Sequence, residues 1–204
     1  MDFESVKKGT TTVALITKDA VVLASDRRAS AGYLIVHKKA KKIHKIDDHI
    51  GITAAGAVGD IQALISLLKA EVSLYSMKHA KRMNTKSIAN LTSRILYGRR
   101  MFPYIAWLVV GGYDEKPSAF SIDPIGGVSE DNFISTGSGS QVAYGVLEDS
   151  FKEDMELDDG IRLAVRCINA AEKRDLATGD GIAVAVVDEK GYRELSEKEI
   201  KEVM

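Results

Sequence analysis

Helical periodicity in this chain arrives in pairs. Apolar residues recur at helical spacing over 59 to 80 (Ile61, Leu64, Ile65, Leu68, Val72, Tyr75) and 85 to 100 (Ile88, Leu91, Ile95), and again over 140 to 154 (Ala143, Leu147, Phe151) and 159 to 176. A short charged helix is expected over 196 to 203, and Asp158 and Asp159 offer N-cap chemistry for the fourth long helix. Strand-like runs fill the intervals: 10 to 17, 20 to 26, 33 to 36, 41 to 46, 50 to 56, 104 to 111, 118 to 122, 130 to 136 and 181 to 188. A doubly wound parallel sheet alternates single helices with single strands, so paired helices between groups of strands argue against it. The first two runs are apolar at consecutive positions (Val13, Ala14, Leu15, Ile16; Ala20, Val21, Val22, Leu23, Ala24), as in strands covered on both faces. One face then needs helices and the other a second sheet. The expected fold is α+β, two mostly antiparallel sheets packed together with a helix pair on each outer side.

At 204 residues one domain suffices, with no internal repeat or interdomain linker. Apolar residues make up 45% and charged residues 28%, with three prolines, which is the composition of a soluble globular protein. A formal net charge of −1 gives no general attraction to phosphate backbones, although "HKKAKKIHK" at 37 to 45 is locally basic, so nucleic acid is not an expected partner. Cys167 is the only cysteine, which excludes an internal disulfide. Its neighbours Ile161, Ala164, Val165 and Ile168 place it in a helix interior, and a reducing, cytoplasmic setting fits. The leader "MDFESVKK" has no apolar core and is not a secretory signal. No apolar stretch reaches the ~20 residues of a membrane-spanning helix. His37, His44, His49 and His79 lack metal-ligand spacing, so neither a catalytic metal nor a cofactor is expected.

Six short stretches could carry chemistry. "GTTT" at 9 to 12 opens the first strand, where β-branched threonine is at home for structural reasons alone. A threonine hydroxyl becomes a useful nucleophile only when a base takes its proton, and for an N-terminal threonine that base is its own α-amine, with a reference pKa of roughly 7.7 to 8.0. Thr10 qualifies only if the Gly9–Thr10 bond is cut. Asp26, in "SDRRAS", ends the second strand and could simply pair with Arg27 or Arg28 in a turn. Lys42, in "KKIHKI", shares a strand face with His44 and Ile46, and pattern alone leaves it at the surface. "AAGAVGD" (54 to 60) and "STGSGS" (135 to 140) each run from a strand into a helix, leaving N–H groups free for an oxyanion or, at 135 to 140, a phosphate. "KRDLATGDG" (173 to 181) sets Arg174, Asp175 and Thr178 where the fourth helix gives way to a strand.

Together these motifs, in this order from residue 9 to about 188, resemble the β-subunit of a proteasome core particle, closest to the archaeal type with its short leader. The resemblance implies the four-layer αββα sandwich of the N-terminal-nucleophile hydrolases and a threonine-type endopeptidase that degrades unfolded proteins to short peptides. It implies that residues 1 to 9 are a self-removed propeptide and 10 to 204 the hydrolase domain, cut at Gly9–Thr10. Thr10 then matches the nucleophile, Asp26 and Lys42 the flanking carboxylate and ammonium, Ser138 and Asp175 the groups that orient the amine, and the Gly56 N–H the oxyanion donor. Thr178 stands where serine is frequent and plays a supporting part. Ala29, Ser30, Ala40, His44, Ala54, Val58 and Gln62 match the substrate-binding positions, with the Ser30 backbone pairing with the substrate chain as a strand edge. The small Ala54 and apolar Val58 favour a large hydrophobic residue before the cut bond, whereas a protonated His44 would favour an acidic one. Implied partners are further copies in seven-membered β rings, stacked between α-subunit rings, and a regulatory ATPase that acts through the α ring. Two other readings compete: a ring subunit that assembles without cutting, which the intact Gly9–Thr10, Asp26, Lys42 and Ser138 argue against, and a phosphate-binding module at 135 to 140.

Overall fold

The two N-terminal apolar runs become β1 (Thr11–Ile16) and β2 (Ala20–Asp26), paired antiparallel from Thr12 opposite Ser25 to Ile16 opposite Val21. The computed structural model describes residues 9–204, so the first eight residues of the expected propeptide lie outside the described residues. A small hairpin of β3 (Ala29–Ala31) and β4 (Leu34–His37) follows, and then β5 (Ile43–Asp47), β6 (Ile50–Gly56) and the helix pair α1 (Val58–His79) and α2 (Thr85–Gly98). Four strands come next: β7 (Ala106–Tyr113), β8 (Pro117–Ile122), β9 (Val128–Glu130) and β10 (Phe133–Gly137). The second helix pair is α3 (Ser140–Ser150) and α4 (Leu157–Glu172), and the chain closes with β11 (Ile182–Asp188), β12 (Gly191–Glu194) and α5 (Glu197–Val203). One antiparallel sheet has the order β10-β1-β2-β11-β12 and the other β5-β6-β7-β8-β9.

Side-chain alternation builds four layers from these sheets. Val13, Leu15, Val22 and Ala24 pack outward against Leu147, Ile161, Ala164, Cys167 and Ile168 of α3 and α4. Their neighbours Ala14, Val21 and Leu23 point the other way and meet Ile43, Val109 and Ala119 of the second sheet. Ile52, Ala54, Leu108 and Val110 then face Leu64, Leu68, Ile88 and Leu96 of α1 and α2. Leu15, Leu23, Leu64 and Leu108 are fully buried, each contributing about 1.5–3 kcal/mol of hydrophobic stabilisation. The α+β sandwich of two antiparallel sheets between helix pairs is the fold expected from the order of elements.

Local readings needed correction. The run at 130 to 136 is not one strand: β9 borders the second sheet and β10 the first, and the chain crosses between them at Asp131 and Asn132. Helix α3 stops at Ser150 rather than 154, and Phe151 leaves the helix to pack against Phe133 at a ring-centroid distance of 5.0 Å. Helix α4 begins at Leu157, so Asp158 and Asp159 sit within its first turn, where their charges suit the helix dipole, while Glu156 holds the cap position without a side-chain cap bond. The short strands β3 and β12 carry no periodicity of their own. Cys167 is buried in α4 and desolvation pushes its thiol up to about 12, in keeping with an inert packing role. Among the described residues, no helix is long and apolar enough to cross a membrane.

Candidate active site

The start of β1 and the end of β2 are antiparallel neighbours, and this brings the threonine run beside Asp26. The Asp26 carboxylate is fully buried and accepts four hydrogen bonds. Its Oδ1 takes the Thr11 N–H at 3.0 Å and the Lys42 ammonium at 2.6 Å, and its Oδ2 takes the Arg28 and Gly179 N–H groups at 3.0 and 3.1 Å. Lys42 lies just before β5. Its carbonyl accepts the Ala54 N–H at 3.0 Å, and nearby Ala40 donates to the Arg27 carbonyl at 2.8 Å, so this short segment is pinned between β2 and β6.

The Lys42 side chain is only 7% exposed, which overturns the surface reading from pattern. The basic run misled there because Lys42, just before β5, turns its ammonium onto the buried Asp26 carboxylate, while its neighbour Ile43 fills the space between the sheets. Desolvation lowers the Lys42 pKa, and the Asp26 charge opposes that shift.

The three threonines diverge. The Thr10 N–H donates to Ser138 Oγ at 3.2 Å and its hydroxyl donates to the Gly9 carbonyl at 2.7 Å. The Thr11 hydroxyl pairs with Thr178 Oγ at 2.6 Å behind the site. Thr12 points between the sheets, meeting Thr136 Oγ at 2.7 Å and Thr53 Oγ at 3.1 Å. One threonine therefore faces the site while two are structural. Ser138 and Thr178 both donate to Asp175 Oδ2, at 2.5 and 2.6 Å, so a single carboxylate organises the hydroxyls on either side of Thr10 and Thr11.

A cavity of about 680 Å³ opens beside Thr10. Lys42, Gly56 and all seven positions expected to bind substrate line it: Ala29, Ser30, Ala40, His44, Ala54, Val58 and Gln62. Asp26, Ser138, Asp175 and Thr178 are not in its wall; they stand behind Thr10. Gly56 has φ +141, and a Cβ there would overlap the Ile105 carbonyl, so both conformation and space demand glycine. Because the Ala54 N–H points towards Lys42, strand alternation turns the Gly56 N–H to the same side, past the start of β5 and towards the cavity. At Gly9 the requirement is space, since a Cβ would overlap Ala177. Burial, reinforced by Lys41 and Lys69, pushes the His44 pKa down to about 4, so its imidazole is neutral at physiological pH.

A family model described as Proteasome subunit matches residues 6–187. This chain belongs to the proteasome subunit family. Proteasome subunit beta 1 of Thermococcus sibiricus is 51% identical over 197 residues, which cover 97% of this chain and 95% of that one. Proteasome subunit beta 2 of Pyrococcus abyssi is 50% identical over 197 residues (97% and 95%). Proteasome subunit beta of Methanocaldococcus vulcanius is 48% identical over 200 residues (97% and 90%).

In this proteasome-family chain, sequence reasoning passed over Arg28 as a turn residue. Its Nε reaches Asp180 at 2.8 Å and its Nη1 the Leu176 carbonyl at 2.8 Å, tying the end of β2 to the loop that carries Asp175. The adjacent "RR" gave no means of choosing Arg28 over Arg27. The apolar hairpin of β3 and β4 also adds Ala31, Val36 and His37 to the cavity wall, a contribution that only the three-dimensional arrangement exposes.

Proposed function

We propose that this chain is a threonine-type endopeptidase subunit of a proteasome core particle, made as a proenzyme that cuts itself between Gly9 and Thr10. The observation that carries this reading is the buried Lys42–Asp26 pair, hydrogen-bonded to the Thr11 N–H beside a cavity that Thr10 and Lys42 both line. A buried ion pair is poor evidence for stability, because desolvation offsets much of the attraction. Beside a hydroxyl it has a chemical use: the ammonium favours the ionised oxygen and helps keep a neighbouring amine neutral.

In the cut form, the Thr10 nitrogen is an amine that takes the proton from Oγ as Oγ attacks a peptide carbonyl. The Gly56 N–H steadies the oxyanion. The amine then gives its proton to the leaving nitrogen, and water, activated by the same amine, hydrolyses the ester. Ser138 and Asp175 orient the amine, with Thr178 supporting Asp175. In the uncut chain the Thr10 nitrogen is an amide without a basic lone pair, so peptides are not hydrolysed. The hydroxyl instead donates a hydrogen bond to the Gly9 carbonyl oxygen, in the peptide group whose carbon it would attack with Lys42 or a positioned water assisting. Attack moves the acyl group from nitrogen to Oγ and frees the amine, and hydrolysis of the resulting ester releases the leader.

The working form is a seven-membered β ring of identical chains stacked between α-subunit rings, fed unfolded polypeptide by a regulatory ATPase, in a reducing cytoplasm. Large hydrophobic residues fit the cavity before the cut bond, since Ala54 is small, Val58 apolar and His44 neutral.

Intact mass of particles co-assembled with a candidate α-subunit tests the proposal. The wild-type chain is expected to begin at Thr10. Thr10→Ala should retain the whole leader and lack peptidase activity, and Thr10→Ser should be processed with some activity left. Leader loss at the same bond in Thr10→Ala particles without added protease, or peptide hydrolysis by the uncut chain, refutes the mechanism.

A further inference from the structure

We propose that Asp60 is a positioning residue for the oxyanion donor, acting through Ile105; this rests on reading Thr10 as the nucleophile and the Gly56 N–H as the donor. Helix α1 starts at an N-cap, Ala57, that has no capping side chain, and Asp60 occupies the third helical position. An acidic residue there ordinarily reaches back to the N–H of the cap residue. Here the exchange passes through another segment. The Ala57 N–H donates to the Ile105 carbonyl at 2.7 Å, and the Ile105 N–H donates to Asp60 Oδ2 at 2.9 Å. Both polar groups of Ile105, the residue just before β7, are thereby tied to the first turn of α1.

Gly56 rests directly on that clamp. An added Cβ would overlap the Ile105 carbonyl, so the Ile105 peptide is the surface against which Gly56 rests at its φ of +141. The Gly56 N–H belongs to the peptide linking Ala55 to Gly56, and Ala55 is paired with Trp107, two residues along from Ile105. Without the Asp60 carboxylate, Ile105 keeps one tie instead of two, and the Gly56 peptide loses its fixed backstop. An oxyanion donor works only within a few tenths of an ångström of its target, so a loosened one weakens transition-state stabilisation while leaving substrate binding largely intact.

Two electrophiles separate this role from general damage. A peptide aldehyde accepts Thr10 Oγ at its carbonyl carbon: the Oγ proton passes to the Thr10 amine, the C–O bond forms, the π pair moves to oxygen, and that oxyanion needs the Gly56 N–H until the proton is returned to it. A peptide vinyl sulfone accepts Oγ at the alkene carbon attached to the peptide, the one farther from sulfur: the π pair moves to the carbon beside sulfur, which takes the proton that the Thr10 amine received from Oγ, and no carbonyl oxygen becomes charged.

In assembled particles, Asp60→Ala is expected to lower kcat about tenfold and weaken aldehyde inhibition about tenfold, a fraction of the ~10²–10³ lost when a donor is removed outright. KM and the vinyl sulfone labelling rate should stay within about twofold. Asp60→Asn, whose amide oxygen can still accept from Ile105, should restore kcat and aldehyde affinity. Asp60→Ser, too short to reach Ile105, serves if Asp60→Ala yields no particle. Equal losses towards both electrophiles, or unchanged aldehyde inhibition, overturn the clamp alone. Absence of label on Thr10 in the wild-type particle overturns the nucleophile reading and the clamp with it.

Discussion

Replacing Lys42 by alanine separates what the buried ion pair does for the fold from what it does for chemistry. Breaking a buried pair by deleting one partner ordinarily costs about 3–5 kcal/mol, because the remaining charge is left uncompensated. Asp26 is not left bare in Lys42→Ala: it keeps the N–H groups of Thr11, Arg28 and Gly179. The cost to the fold should therefore lie at or below the lower end of that range, about 2–3 kcal/mol, and particles should still assemble. No such substitute exists for the chemistry, because none of those three donors carries a full charge. The loss of a preorganised electrostatic contributor is then expected to lower kcat by ~10² or more. Leader removal should fail as well, since the uncut Thr10 lacks its own amine and depends more heavily on Lys42. Fluorogenic peptide hydrolysis per particle measures the first effect and intact mass the second. Turnover within about threefold of wild type, in particles that have shed the leader, would show that the ammonium takes no part and that the pair is structural.

Gly56→Ala is expected to fail differently, because alanine at φ +141 is strained and its Cβ overlaps the Ile105 carbonyl: poor yield, with any assembled particles unprocessed. Normal processing of this variant by intact mass would place the oxyanion donor elsewhere. The His44 pKa, depressed by burial to about 4, carries a signed pH prediction. The unfolded chain takes up this proton as pH falls below about 6.5 while folded His44 stays neutral down to about 4, so stability is lost across that window and the folded imidazole remains uncharged through most of it. Cleavage after Leu, Phe or Tyr should therefore dominate at both pH 8 and pH 5.5, with no gain after Asp or Glu at the lower pH. A rise in acidic preference on acidification, by fluorogenic profiling, would show that His44 does become charged.

The fold was legible because both faces of β1 and β2 are buried, and away from the site their residues 13–15 and 20–24 are unbroken apolar runs. Val13 to Leu15 leave no position for a polar residue, with helices on one side and a sheet on the other. Short edge elements escaped for the converse reason. β3, β9 and β12 have three or four residues each and little burial, so hydrogen bonding to a neighbour rather than an apolar stripe makes them strands. The Asp158–Asp159 cap was misplaced because an acidic residue favours both the cap and the first turn, and only backbone angles distinguish them.

Lys42 shows why the site resisted reading from periodicity. Patterns report which face of an element avoids water, and they assume that a charged side chain seeks it. That assumption fails where a partner from a distant part of the chain supplies the compensation: Asp26 lies 16 residues away, with Thr11, Arg28 and Gly179 sharing its oxygens from three further points in the sequence. Every ligand of that carboxylate is ordinary in isolation. A β-strand threonine, a turn arginine, a lysine in a basic run and a loop glycine gather around one carboxylate only through their mutual distances, and of this set the resemblance named Asp26 and Lys42 but not Thr11, Arg28 or Gly179. Asp60 belongs to the same class with less signal still. Its partner Ile105 is held through backbone atoms alone, which any residue but proline supplies, so nothing in the identity of residue 105 could have revealed the clamp before the fold brought the two together.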